Sequence, residues 1–287
     1  MIATRSYAFH SLLDYVGRIE GKLMITILKE RPDIMLVFKG EVFPPHVAER
    51  ARKTSGVRSV LWFPDDPRYL RSLLLAIAPS FDLVAVSSTA TVPVLRRTGN
   101  NSAIRMPFGC DPNIHRSLGR DKTFDLTFVG TYYPERARML TNVLAKNLKV
   151  WGSYWNLPWV PRRLRNSAMS SRSYGGNLVE ILNRSKITIN IHHRTDLNAP
   201  GKINMRVFEA AACGTFQLTD NALGLGEFFD IGREIICYES PEELVELVDY
   251  YLDAKEERDE IARAAQKRAY EDHTYVKRVV SMLDAMG

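Results

Sequence analysis

Short runs of strand-forming residues, each closing on glycine or polar residues, recur along the chain, and this repetition limits the fold more than any other feature. The runs are "DIMLVFKG", "VRSVLWFPDD", "DLVAVSS", "SAIRMPFG", "DLTFVGTYY", "LKVWGS", "ITINIHH", "TFQLTD" and "EIICYES". Helical patterns such as "GRIEGKLMITILKER" and "HVAERARKTSG" stand between most of them, and such alternation marks parallel strands joined by crossover helices. The runs are apolar almost throughout, as required when helices cover both faces of a sheet. An α/β class is expected. Sheets of this kind bind ligands at the carboxyl ends of their strands. Here those ends read Lys39 to Glu41, Asp65-Asp66, Ser87-Ser88, Gly130-Thr131, Gly152-Ser153 and His192-His193.

A chain of 287 residues has room for two domains. The segment "PFGCDPNIHRSLGRDKT", rich in proline, glycine and polar residues, suggests the boundary. An N-terminal domain over 1–108, a linker over 109–122, a C-terminal domain over 123–272 and a closing helix over 273–287 that packs back on the first domain are expected. The first domain lacks a clear strand-plus-glycine-loop opening, so its first βα element is expected to be reduced. At the far end, Ser240 as N-cap, Pro241 after it and Glu243 completing a capping box start a helix whose apolar stripe is Leu244, Leu247, Val248, Tyr251 and Leu252.

The net charge of +6 comes from 39 basic and 33 acidic residues spread along the chain, so no nucleic-acid partner is demanded. Cys110, Cys213 and Cys237 are odd in number and far apart, without a metal-finger spacing, which fits a reduced, cytoplasmic chain. Arg5, His10, Asp14 and Arg18 interrupt any signal-peptide core, and the longest apolar run, "LLLAIAP", is far short of a membrane span.

The stretch "GKINMRVFEAAACGTFQLTD", residues 201–220, predicts a turn, a short helix beginning near Ile203, a glycine stop and a strand. Ile203, Val207, Ala210 and Ala211 share an apolar face, while Lys202, Arg206 and Glu209 form a charged stripe. A helix start above a strand end offers N–H groups to phosphate; Lys202 and Arg206 add charge, and Glu209 can accept from a ribose diol. The competing reading is a solvated face whose Arg206–Glu209 ion pair is worth about 0.2 to 0.5 kcal/mol. Of His192 and His193, one is expected to point to a ligand and its neighbour away; neither belongs to a metal-ligand cluster, and no metal site is expected. Asp66, at a strand end between Pro64 and Pro67, is a candidate base for an acceptor hydroxyl, with a plain turn as the alternative. Gly130-Thr131 allows close approach to a diphosphate, with Arg136 as a charge neutraliser; the G-x-G-x-x-G of a nicotinamide dehydrogenase is missing. The segment Trp151 to Arg172 joins three tryptophans to four arginines, which suits stacking on sugar or peripheral contact with a membrane or anionic surface, with a partly packed loop as the alternative.

The pattern "KINMRVFEAAACGTFQLTDNALGLGEFF", followed by "EIICYESPEELVELVDYYLDAKEERDEIARAA" and "EDHTYVKR", resembles the C-terminal half of the spore-maturation (CgeB-like) group of GT-B glycosyltransferases. "DLTFVGTYYPERARML" resembles the first strand and loop of the same domain, and "RPDIMLVFKGE" and "VLWFPDDP" the acceptor-side domain. The resemblance implies two Rossmann-like domains facing across a cleft, the N-terminal one reduced, and a hexosyltransferase-type enzyme that moves sugar from a nucleotide donor to an acceptor hydroxyl without a metal or cofactor. It places Glu209 at the donor ribose, with Asn204, Arg206 and Gly214 on other marked positions. Many related retaining transferases carry a glutamate eight positions before this one; here that position is Gly201, which leaves the stereochemistry open. On the residues alone, a silent sugar-nucleotide or glycan binding module, or a sugar-nucleotide epimerase, are the alternatives.

Overall fold

The computed structural model describes residues 17, 20–169 and 173–287; the charged N-terminal positions Arg5, His10, Asp14 and Arg18, and Arg172, lie outside them. The chain divides into two compact units, one comprising residues up to Met106 together with Met282–Gly287, the other Pro107–Ser281. Each of the nine predicted runs contains a strand.

The first unit holds a parallel four-stranded sheet in sequential order: β1 (Ile34–Phe38), β2 (Arg58–Phe63), β3 (Leu83–Val86) and β4 (Ala103–Arg105). Helix α1 (Pro45–Ser55) follows β1, starting at a proline and stopping at Gly56, whose left-handed φ of 74° lets its N–H reach the Arg52 carbonyl. Helix α2 (Thr91–Arg97) connects β3 to β4. Val37, Leu61, Phe63, Leu74, Ile77, Val84 and Leu95 form the core.

The second unit has the order β6-β5-β7-β8-β9, all parallel, with β5 (Phe124–Val129), β6 (Leu148–Trp151), β7 (Ser185–Asn190), β8 (Gln217–Asp220) and β9 (Ile236–Tyr238). An isolated parallel bridge from Val150 to Ala168 continues the sheet beyond β6. Counting that bridge as a vestigial strand gives the order of a doubly wound nucleotide-binding fold, with the reversal between β5 and β7, the place where such sheets bind ligands. Helices α3 (Pro134–Thr141), α4 (Arg162–Ser167) and α8 (Pro241–Asp253) pack with Leu126, Phe128, Ile187, Ile189 and Leu218 in one core. Helices α5 (Gly176–Asn183) and α7 (Met205–Ala212) share another with Val129 and Trp151, so apolar residues fill both sides of these strands. A single turn, α6 (Arg194–Leu197), lies between β7 and α7.

The capping signal at Ser240 is realised: its Oγ accepts from the Glu243 N–H at 3.1 Å, while Glu243 reaches back to the Glu239 N–H. The helical pattern after it breaks at Ala254, where ψ is 64°, and resumes as α9 (Lys255–Asp272); α10 (Tyr275–Asp284) closes the chain. Residues 109–122, read as a linker, belong to the second unit; Cys110 and His115 are buried and Cys110 exchanges backbone bonds with His273 and Tyr275, while most of 113–122 stays exposed.

Candidate donor site at the β5–β7 crevice

Helix α7 begins two residues later than its apolar pattern suggests, because Asn204 takes the N-cap position and its Oδ1 accepts from the Val207 N–H. Lys202 therefore stands ahead of the helix, on the turn where Gly201 has φ of 68°. Lys202 is only 3% exposed, its ammonium lies 5.7 Å from the Phe108 ring centre, and no carboxylate pairs with it among the described residues.

In the first turn of α7, Arg206 Nη1 donates to Glu209 Oε2, three residues on, at 2.5 Å, and its Nε donates to the Val129 carbonyl at the end of β5. The other Glu209 oxygen faces His115 Nε2 at 3.5 Å. His115 Nδ1 accepts the Asp111 N–H at 3.1 Å, so the proton of the neutral ring sits on Nε2, toward the carboxylate. Burial pushes the His115 pKa down, against the opposing pull of Glu209, and keeps the ring neutral near pH 7. Arg206, Glu209 and His115 thus form one chain. Glu209 is 5% exposed, so the solvated-face reading of the stripe does not hold. His115 escaped the sequence reading because its segment looked like a linker.

Several expected roles change. Asp66 has no solvent exposure, and its two oxygens accept the N–H groups of Ser87 and Ser88 at 2.7 and 2.9 Å. It fastens the end of β3 and does not present a base to an acceptor, as the turn alternative anticipated. His192 is buried with its side chain at 0% exposure; its Nδ1 and backbone N–H both meet Asp220, at 2.6 Å and 2.8 Å. That ring joins β7 to β8 and, with Asp220, Glu135 and Arg194, lines a cavity of about 450 Å³; its Nε2 has no hydrogen-bond partner among the described residues, so it stays a candidate to meet a ligand. His193 is the accessible member of the pair: it caps α6 by accepting the Thr195 N–H, stacks edge-on against Tyr133, and places Nε2 at 3.9 Å from Glu135.

Arg136 was expected to meet phosphate. Instead Nε and Nη2 donate to the Ile191 carbonyl at 3.1 and 2.8 Å and Nη1 donates to the Thr131 carbonyl at 3.0 Å, stitching the loops after β7 and β5 together. Gly130 also has its backbone committed: its N–H donates to the Trp151 carbonyl and its own carbonyl accepts from Trp155 Nε1 at 2.7 Å. The close approach belongs to Gly152, with φ of 133°, where a Cβ would fall 2.0 Å from the Gly130 oxygen. Of the expected donor-site residues, Lys202 lies just before α7 and Arg206 and Glu209 on it, while His193 and Thr131, both half-buried, follow β7 and β5.

Burial raises the thiols, Cys110 to about 11 and Cys213 and Cys237 to about 12, which leaves none of them a nucleophile near neutral pH. Among the described residues no group of three or more His, Cys, Asp or Glu is arranged to hold a metal ion, and no helix is long and apolar enough to cross a membrane.

Comparison with known proteins agrees with this architecture. The spore protein CgeB of Bacillus subtilis is 23% identical over 272 residues, covering 89% of this chain and 83% of that one. The crystal structure of Alr3699/HepE from Anabaena in complex with UDP-glucose superposes with a TM-score of 0.65 at 12% identity, covering 93% of this chain and 81% of that one. Sucrose-phosphate synthase from Thermosynechococcus elongatus gives 0.62 at 12% identity, with 96% and 78% covered. The family described as glycosyl transferase-like matches residues 120–284, more than half of the chain. The chain belongs to that family and is a glycosyltransferase of the GT-B fold, similar to the CgeB group.

Proposed function

We propose that a nucleotide-activated hexose, with UDP-glucose as the first donor to test, binds the second unit at the β5–β7 crevice. Its diphosphate lies at the start of α7 beside Lys202 and Arg206, and its ribose diol donates to Glu209. The observation that carries this reading is Lys202, a buried lysine whose ammonium has no anionic partner among the described residues. A diphosphate set against the helix N–H groups would give that ammonium an anionic partner. The HepE structure, with its UDP-glucose, supports the choice of probe.

In the transfer step the acceptor oxygen forms a bond to the anomeric carbon while the bond from that carbon to the diphosphate oxygen breaks, its electron pair leaving with the diphosphate. Lys202, Arg206 and the α7 N–H groups meet that growing charge, a stabilisation strongest in the transition state. No metal is required on this account, and the nucleotide sugar is substrate rather than cofactor. His193 is the strand-end group available to donor sugar hydroxyls. Peripheral contact of the segment beginning at Trp151 with a membrane or anionic surface fits the same reading, since an acceptor held at that surface would meet the donor there.

Titration calorimetry with UDP-glucose on the wild type and on Lys202→Met tests the proposal, with donor hydrolysis measured beside it. Removing a charge-assisted phosphate contact worth about 1.5 to 3 kcal/mol weakens binding at least tenfold. Equal affinity in both proteins would end the assignment.

A further inference from the structure

We propose that the outer edge of the second unit, from Tyr154 to Met169, is a docking surface for an anionic lipid bilayer. The charge distribution comes first. Between Glu135 and Glu180 the sequence has no acidic residue and eight basic ones; of these Arg136 is spent on backbone carbonyls and Lys146 on Asp249, which leaves a smaller exposed group. Arg138, Arg162 and Arg163 are exposed, and none of them has a carboxylate partner among the described residues. A one-sign patch of this kind attracts an anionic partner.

The loop geometry says what kind of partner. Trp155 is buried, with Nε1 bonded to Gly130 and its ring edge-on to Phe128 and Tyr132 at 5.7 and 5.2 Å. This anchor holds its neighbours outward. Tyr154 is 59% exposed with φ of 72°, in the left-handed region that a tyrosine adopts only under constraint. Trp159 is 67% exposed, three residues before Arg162, and Met169 is exposed where the chain leaves α4. Exposed Trp159 and Met169, and Tyr154 held outward at a backbone cost, next to arginines, match an interface that is apolar inside and anionic at its rim. A nucleic-acid groove needs the charge but gives no use to exposed Met169.

The test is co-sedimentation of the full chain with vesicles of phosphatidylcholine alone and with vesicles that also contain phosphatidylglycerol. Binding is expected only to the second kind, to fall as salt rises, and to blue-shift tryptophan emission in a way that Trp159→Phe removes. The double variant Arg162→Glu, Arg163→Glu is expected to lose at least about tenfold in binding, while its melting curve and its UDP-glucose affinity match the wild type. Tyr154→Gly, which relieves the backbone, is expected to keep the fold and weaken vesicle binding. Equal binding to both vesicle types, no binding to either, an unaffected charge-reversal variant, or tighter binding to a single-stranded oligonucleotide at the same salt would each overturn the proposal.

Discussion

His115 Nε2 stands 3.5 Å from Glu209 Oε1, although 94 positions separate the two in sequence. The segment carrying His115 is held by Tyr270, whose hydroxyl shares its one proton between the His115 carbonyl at 3.1 Å and the Ala212 carbonyl at the end of α7 at 2.9 Å. The imidazole and the carboxylate are therefore fixed by two partners each, and the carboxylate is presented at one angle. Orientation of this kind decides whether a ribose diol finds both oxygens in reach.

Replacing His115 by alanine is expected to lower UDP-glucose affinity by up to about 1 kcal/mol, because the imidazole that stands 3.5 Å from Glu209 Oε1 is lost and the carboxylate is free to turn. His115→Gln, which can still offer an N–H, is expected to recover part of it. Calorimetry on the two variants checks this; equal losses in both would show that the ring only fills space.

The same residue gives a pH dependence with a defined sign. Burial is the main cause of the lowered His115 pKa, and His273 is lowered for the same leading reason. Groups whose folded pKa lies below the unfolded value, about 6.5 for histidine, contribute stability that is present above that value and lost as the pH falls through the lowered one. Protonating His115 would also set an Nδ1–H against the Asp111 N–H. Denaturant melts at pH 7.5 and at about 5.5 are expected to show weaker stability at the lower pH, with a smaller difference in His115→Gln. A pH-independent contribution from this site would contradict the assignment.

Much of the fold was legible because buried parallel strands are written as unbroken apolar runs, so "DLTFV", "ITIN" and "SVLWF" could be read without context. The pairing of Arg206 with Glu209 was legible for a similar reason: two residues three apart on one helix share a face whatever surrounds them, although Lys202 proved to stand ahead of that helix. Contacts between distant segments were not. Nothing near Asp66 announces that Ser87 and Ser88 bring their N–H groups to it, and the local sign that was present, flanking prolines, pointed correctly to a turn. Nothing near Arg136 announces the Ile191 carbonyl. His115 lay in a proline- and glycine-rich stretch whose composition is that of a linker, although the structure sets its ring beside Glu209 of α7.

Asp66→Asn is expected to destabilise the first unit by about 2 to 3 kcal/mol, since an amide has one acceptor oxygen for two converging N–H donors and turns its own N–H₂ toward one of them. UDP-glucose affinity is expected to stay at the wild-type level. Chemical unfolding beside calorimetry separates the two effects, and a stable variant with lost turnover would restore the base role set aside above.

Gly152→Ala tests the packing behind the crevice. The added methyl would meet the Gly130 carbonyl oxygen at 2.0 Å, on a backbone with φ of 133° that side chains rarely adopt. The loops after β5 and β6 must part, at an expected cost of more than about 2 kcal/mol. Melting curves of Gly152→Ala and of Gly176→Ala, where the methyl meets open space, are expected to differ by that margin; equal curves would show that the loops yield freely.

The role of Arg206 separates phosphate stabilisation from simple ion pairing. Its guanidinium already serves Glu209 and the Val129 carbonyl, yet a planar fork has five N–H donors and can take a phosphate oxygen as well. If negative charge grows on the diphosphate as the glycosidic bond breaks, Arg206→Ala is expected to lower kcat by about 100-fold or more, an effect of the size seen when one preorganised donor is removed from a developing anion. Arg206→Lys keeps the charge but loses the fork, and is expected to recover only part of the rate. Both variants also disturb Glu209, so ground-state donor affinity is measured separately: a loss in affinity alone, with kcat unchanged, would confine Arg206 to holding the carboxylate. Turnover is expected to persist in a chelator for every variant that retains activity, because Lys202, Arg206 and helix N–H groups supply the positive charge. Activity that disappears with chelator and returns with magnesium or manganese would show that these groups do not suffice.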